Sequence, residues 1–183
     1  MNITESGLNK TLAFLKSDEF DKLVAATKEF WDECDYMGNP GASDEDIDTM
    51  QKKCRERFGV CVPEGYVAFL RRENGLSYNY NQIYDLTFFV CRDGYSDSNY
   101  WSVFEYNDDL QNDGKARFLY IGRDKENRCA YDTQTGKYVI LKERTFVVLE
   151  TYDCFADMFK TLLMFALPAD KLQKVYPDLK GWI

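Results

Sequence analysis

Residues 116–153 hold four strand-like runs one after another: ARFLYIGRD, NRCAYD, KYVILKE and TFVVLETYD. Each is rich in β-branched and aromatic residues, and too little chain lies between them for a crossover helix. Parallel pairing needs a connection of about a dozen residues or more, so these runs are expected to pair antiparallel. The TQTG stretch between NRCAYD and KYVILKE supplies a glycine-containing hairpin turn. IYDLTFFV, from Ile83 to Val90, is expected to be a strand ahead of them. Strands gathered in this way exclude a doubly wound parallel sheet. They point to an α+β fold with N-terminal helices, a curved antiparallel meander and a C-terminal helix packed on the sheet.

Helical spacing occupies the rest. Ser6 is expected to cap a short helix carrying Leu8, Leu12 and Leu15. Ser17 is expected to cap a second, whose apolar stripe is Phe20, Leu23, Val24, Thr27, Phe30, Trp31 and Cys34. After a Gly- and Pro-containing break, Ser43 opens a third with acids in its first turn. That helix carries Ile47, Met50, Cys54 and Phe58 on one face, and Gly59 suits a left-handed end. Pro63 fits the first position of a fourth helix, with Tyr66, Phe69 and Leu70 on one face and Arg71 and Arg72 in its last turn. Asn74-Gly75 then reads as the stop of that helix rather than as a catalytic loop. NYWSVFEYNDDL is expected to form a short helix capped by Ser98. The last long helix should start near Asp153 with Phe155, Met158, Phe159, Leu162 and Ala166 on one stripe, and Pro168 should start a short final one. Residues 1–42 read as an N-terminal helical extension of an α+β domain spanning 43–183, the two expected to form one compact unit.

A chain of 183 residues can bury about 70% of its unfolded surface. Its 23 basic and 31 acidic residues leave a net charge of −8. An acidic chain without a basic patch repels phosphate, so no direct nucleic-acid partner is expected. The start, MNITESGLNK, lacks the basic and apolar regions of a signal peptide. No stretch approaches the roughly 20 apolar residues of a membrane span, so the expected location is cytoplasmic, without membrane contact. Six cysteines occur without a CxxC pair, and there is no histidine. Zinc, disulfides and cofactors are therefore not expected. Without histidine, Ser-His-Asp and Cys-His catalysis is excluded in its usual form, and no enzyme activity is expected.

The resemblance rests on several stretches in order: VPEGYVAFLRRENGL, then IYDLTFF, then ARFLYIGRDKENRCAYDTQTGKYVIL, then DCFADMFKTLL. In that order and spacing the chain resembles the SUKH superfamily, which includes a fungal cell-wall-synthesis regulator (Smi/Knr) and many bacterial immunity proteins. The likeness covers roughly Ser43 to Leu167. It implies a curved sheet flanked by helices and no shared catalytic residues. It also implies an intracellular immunity protein that binds and neutralises a cognate polymorphic toxin domain, often a nucleic-acid-targeting one. The alternative it leaves is a cytosolic regulatory scaffold.

Individual clusters read as structure. Asp44, Glu45, Asp46 and Asp48 complement a helix dipole. DGYSDS, from Asp93 to Ser98, lacks the ligand spacing of a calcium loop. Tyr131 and Asp132, a conceivable acid–base pair, sit at a hairpin turn. The aromatics Tyr78, Tyr80, Tyr84, Tyr95, Tyr100 and Trp101, interleaved with Asn, Ser and Asp, fit either core packing or interface anchoring. Tyr78, Tyr80, Tyr95, Asp97 and Trp101 are taken as the candidate partner-binding set.

Overall fold

The first helix, α1 (Ile3–Leu15), turns inward a face different from the one its leucines suggest. Leu8 is half-buried and Leu12 is exposed, while Gly7, Thr11, Phe14 and Leu15 are buried. Small residues decide this. A methyl group on Gly7 would lie 2.6 Å from the Asp153 carbonyl oxygen, so only glycine permits the approach. One turn on, the Thr11 hydroxyl accepts from the Ala156 N–H at 3.4 Å. The helix also begins before Ser6, which is therefore an interior helical residue and not its cap. The computed structural model describes residues 3–32, 40–78, 81–83, 107 and 117–178.

The next three helices follow their capping and periodicity. Ser17 starts α2 (Asp18–Asp32), its hydroxyl accepting from the Phe20 N–H and donating to the Phe14 carbonyl. Phe20, Leu23, Val24 and Thr27 are buried, as their spacing predicts; Cys34 lies outside the described residues. Ser43 caps α3 (Asp44–Phe58) by accepting from the Asp46 N–H. Ile47, Met50, Cys54 and Phe58 are buried, and Gly59 closes the helix at φ 68°. Helix α4 (Glu64–Arg72) carries the fully buried Tyr66, Phe69 and Leu70. Pro63 is its N-cap, one place earlier than expected. The helix stops at Glu73, whose extended backbone still bonds to the Phe69 carbonyl. Asn74-Gly75 is thus not the cap itself. Gly75, at φ 85°, turns the chain into the first strand, a conformation that costs glycine little.

Six strands form one sheet in chain order, each antiparallel to the next. They are β1 (Leu76–Tyr78), β2 (Asn81–Ile83), β3 (Phe118–Arg123), β4 (Asn127–Asp132), β5 (Lys137–Lys142) and β6 (Val148–Tyr152). The fold is α+β. Of the strand expected over Ile83–Val90, Ile83 ends β2, and 84–90 lie outside the described residues. In the segment expected to be a short helix, Asn107 is helical, and its neighbours lie outside the described residues. The sheet is followed by α5 (Phe155–Ala166), where the stripe of Phe155, Met158, Phe159, Leu162 and Ala166 is buried. Pro168 then caps α6 (Ala169–Val175). Among the described residues no helix is long and apolar enough to cross a membrane.

The core is an aromatic cluster that joins the N-terminal helices to the later elements. Phe20 of α2 lies 5.8 Å from Phe159 and 6.5 Å from Phe69, and Phe14 of α1 lies 6.0 Å from Phe159. Further from the core, Asn107 completes β3. Among the described residues, the pairing of β2 with β3 covers Gly122 and Arg123. The Asn107 amide donates to the Tyr120 carbonyl at 2.7 Å and accepts from its N–H at 2.9 Å, the two bonds a paired strand residue makes.

Two substitutions test this packing. Gly7→Ala should lower stability by about 1–3 kcal/mol in urea denaturation, because its new methyl meets rigid backbone. Asn107→Ala should cost about 1–3 kcal/mol for each Tyr120 backbone group left without a partner, measured the same way.

Candidate functional site

Most of the aromatic set lies beyond what the structure describes. Tyr78 ends β1 opposite Asn81. Tyr80, Tyr95, Asp97 and Trp101 lie outside the described residues, as do Tyr84 and Tyr100. Two other features stand out, neither of them anticipated from the sequence.

The first is a cleft of about 470 Å3 around which three helices begin. α1 contributes Glu5 and Gly7, α4 contributes Glu64 and Gly65, and the start of α5 contributes Asp153, Cys154 and Phe155. The β4–β5 hairpin adds Tyr131 and Tyr138. All the charged residues lining the cleft are carboxylates: Glu5, Glu64 and Asp153. Each is where the local sequence wants it, since acids offset the positive end of a helix dipole. The fold pools them. Asp153 is ion-paired with Lys137. Among the described residues no ion pair reaches Glu5 or Glu64.

Tyr138 stands in the wall of this cleft, 5% exposed. Burial, followed by its neighbour Tyr131, pushes its phenol well above the ordinary tyrosine value, so it remains an O–H donor. Gly65 leaves room for it: a methyl group there would lie 2.7 Å from the hydroxyl and 3.0 Å from the Phe155 Cβ. A second cleft of about 540 Å3 adjoins the first through Cys61 and Tyr131, and there the charged residue is Arg117.

The second feature is the edge of the sheet. β6 is the last strand in the sheet order, and Val148 to Thr151 are all exposed. With the residues just before the strand, Phe146 (44%), Val147 (57%), Val148 (39%) and Leu149 (50%) form an exposed apolar run. Phe146 has φ 55°, rare for a bulky residue and costing of order 1–3 kcal/mol. Its ring is held by the Arg128 guanidinium, 5.0 Å from the ring centroid, which also lies 5.5 Å from that of Tyr120. The sequence read TFVVLETYD as a strand, correctly for Val148–Tyr152. Its exposure leaves no local signature, because a run of apolar residues reads the same on an edge as in a core.

Reactive groups elsewhere serve the fold. Asp132 is buried and accepts from the Arg117 guanidinium at 3.1 Å and from the Gln134 N–H at 3.0 Å. Burial raises its carboxyl, but these hydrogen bonds outweigh it and hold it below the ordinary aspartate value. Tyr131, on the opposite side of the strand, is pushed up by burial and then by Asp132. The pair is therefore a turn anchor beside a core tyrosine. The thiols of Cys54, Cys129 and Cys154 are all raised by burial, Cys54 to about 12, and a protonated thiol is a poor nucleophile. Cys54, Cys61, Cys129 and Cys154 are unbridged. Among the described residues no three His, Cys, Asp or Glu side chains converge as metal ligands. Asp44 and Asp46 of the acidic helix start are used locally, Asp44 by Arg71 and Asp46 by Ser43.

Compared with known proteins, the chain matches no protein-family model and no curated protein.

Asp132→Asn should cost about 1–3 kcal/mol at neutral pH, by loss of the charged partner of Arg117. A carboxyl held low in the folded state stabilises above its unfolded value and loses that contribution as pH falls through the folded one. The gap between wild type and variant in urea denaturation should therefore close as pH drops below about 3.8, the ordinary aspartate value.

Proposed function

We propose that this chain is a non-catalytic protein-binding partner, an intracellular immunity protein that occludes a toxin domain. The observation that carries the reading is the exposed apolar run Phe146–Leu149 on an edge strand. Contiguous exposed apolar surface marks protein interfaces, and an open strand edge offers backbone hydrogen bonds to an incoming extended segment. The strained Phe146 is consistent with a side chain held outward for contact. The resemblance to the SUKH superfamily supports neutralisation as the purpose of that contact. The charge of −8 supports a basic partner, such as an enzyme that acts on nucleic acid. The absence of histidine and the raised thiols support occlusion over turnover.

Co-expression should rescue cells from the toxin domain encoded beside this chain. In surface-plasmon kinetics, association with that purified domain should slow steeply with salt, and dissociation should change less. Leu149→Asp should weaken binding by about 2 kcal/mol, mostly through faster dissociation, while leaving thermal stability nearly unchanged, because Leu149 is already half exposed. Absence of binding at micromolar protein overturns neutralisation and favours a regulatory scaffold.

A further inference from the structure

Two arginines stand directly opposite each other beside the β3–β4 turn. Arg123 faces Arg128 in the strand register, so both side chains leave the same face of the sheet, with Cβ atoms about 4.5–5.5 Å apart. Like charges in that position repel. Arg128 is held in place. Its side chain is 12% exposed, and its guanidinium lies 5.0 Å from the Phe146 ring centroid and 5.5 Å from that of Tyr120. Glu143 answers its charge at 3.8 Å. Arg123 has no such support. Among the described residues no hydrogen bond or ion pair reaches its guanidinium, and its Nε is shut off from solvent without an acceptor. The nearby acids are already engaged. Asp124 accepts from the Glu126 and Asn127 N–H groups and from the Asn127 amide, and Glu126 holds Lys142.

A buried charged donor without an acceptor is costly and calls for an explanation. An oxyanion between the two arginines removes both the unmet donor and the repulsion. Glu143 cancels the charge of Arg128, which leaves one uncompensated positive charge, that of Arg123. A single carboxylate matches it, and its two oxygens fit the planar fork of a guanidinium. A dianionic phosphate exceeds it, beside Glu143 and in a chain of net charge −8. Arg123 is only half-buried, so a ligand reaches its guanidinium from solvent. The Tyr120 and Phe146 rings fix Arg128 before a ligand arrives, which spares part of the ordering cost. We propose that Arg123 and Arg128 form a binding site for a carboxylate, carried by a small molecule or by an acidic side chain of a peptide. Arg123 supplies the unmet donor and Arg128 the fixed second charge. The site does not depend on toxin neutralisation.

The probes are acetate, a capped alanine peptide with one central glutamate, and inorganic phosphate. Each is titrated into the isotope-labelled full chain at constant ionic strength, with chloride as the blank. The readout is the arginine Nε–Hε resonances in NMR, that of Arg123 being assigned by its disappearance in Arg123→Gln. Acetate or the peptide should move the Arg123 resonance saturably, with a smaller shift at Arg128, and chloride should move neither. Arg123→Gln, read on the Arg128 resonance, should abolish the saturable shift. Glu143→Gln should bind acetate about fivefold more tightly, because it frees a second positive charge, a gain that misfolding cannot produce. Arg55→Gln, a removal of equal charge on α3, should change nothing. No shift at Arg123, an equal shift with chloride, tighter binding of phosphate than of acetate, or unchanged affinity in Arg123→Gln would each overturn the proposal. Tighter binding of the peptide than of acetate assigns the site to an acidic side chain, and the reverse order assigns it to a small carboxylate; both uphold it. No arm uses a toxin domain, so loss of the neutralisation reading leaves this result standing, and failure here leaves neutralisation standing.

Discussion

Phe155 is the point on which the layers of this protein meet. It is fully buried at the first position of α5. Its ring lies 5.2 Å from Phe69, 5.7 Å from Phe159, 5.8 Å from Tyr138 and 6.0 Å from Tyr66. One side chain thus ties the sheet, through Tyr138, to α4 and to its own helix. Each such aromatic contact adds about 0.5–1.5 kcal/mol beyond simple burial, and removing a ring of this kind typically costs about 3–5 kcal/mol. The position of Phe155 also sets the tolerance nearby. Gly65 must lack a side chain because Phe155 and Tyr138 fill the space. Gly7 must lack one because the chain entering α5 passes over it.

Those two close approaches bring three helix starts to one place. Acids at helix starts are ordinary, and each of Glu5, Glu64 and Asp153 is explained by the helix it precedes or opens. Their union is a product of packing. The same packing buries Tyr138 in the wall of that concavity. A local rule, repeated on helices far apart in the chain, becomes a charged concavity only when the core draws those helices together.

The opposite edge follows another logic. From Val148 to Thr151 the residues of β6 face solvent. The Tyr120–Arg128–Phe146 stack holds the loop before it in a conformation a bulky residue rarely adopts. Asn107 seals the other irregular part of the sheet by imitating a strand at Tyr120. Open edges invite pairing with another chain, and β6 presents an exposed apolar run there.

Much of the secondary structure was legible from local chemistry. The caps at Ser17, Ser43 and Gly59, the buried stripes of α2, α3 and α5, and the β4–β5 hairpin all depend on residues within a turn or two of one another. Capping, periodicity and turn preference act over that range, so sequence alone determined them. The inward face of α1 escaped, because Gly7 and Thr11 are chosen by contact with a helix start from the other end of the chain, against the pull of Leu8 and Leu12. The ends of α4 shifted by a residue, because Pro63 and Glu73 fit the cap geometry without side-chain bonds. The cleft and the exposed edge were not legible at all. Whether a carboxylate finds a cation, a hydroxyl finds an acceptor or an apolar run finds cover depends on what long-range packing places beside it. Sequence determined which elements form and which faces they offer; only the tertiary structure decided which of those faces are satisfied and which remain open to a partner.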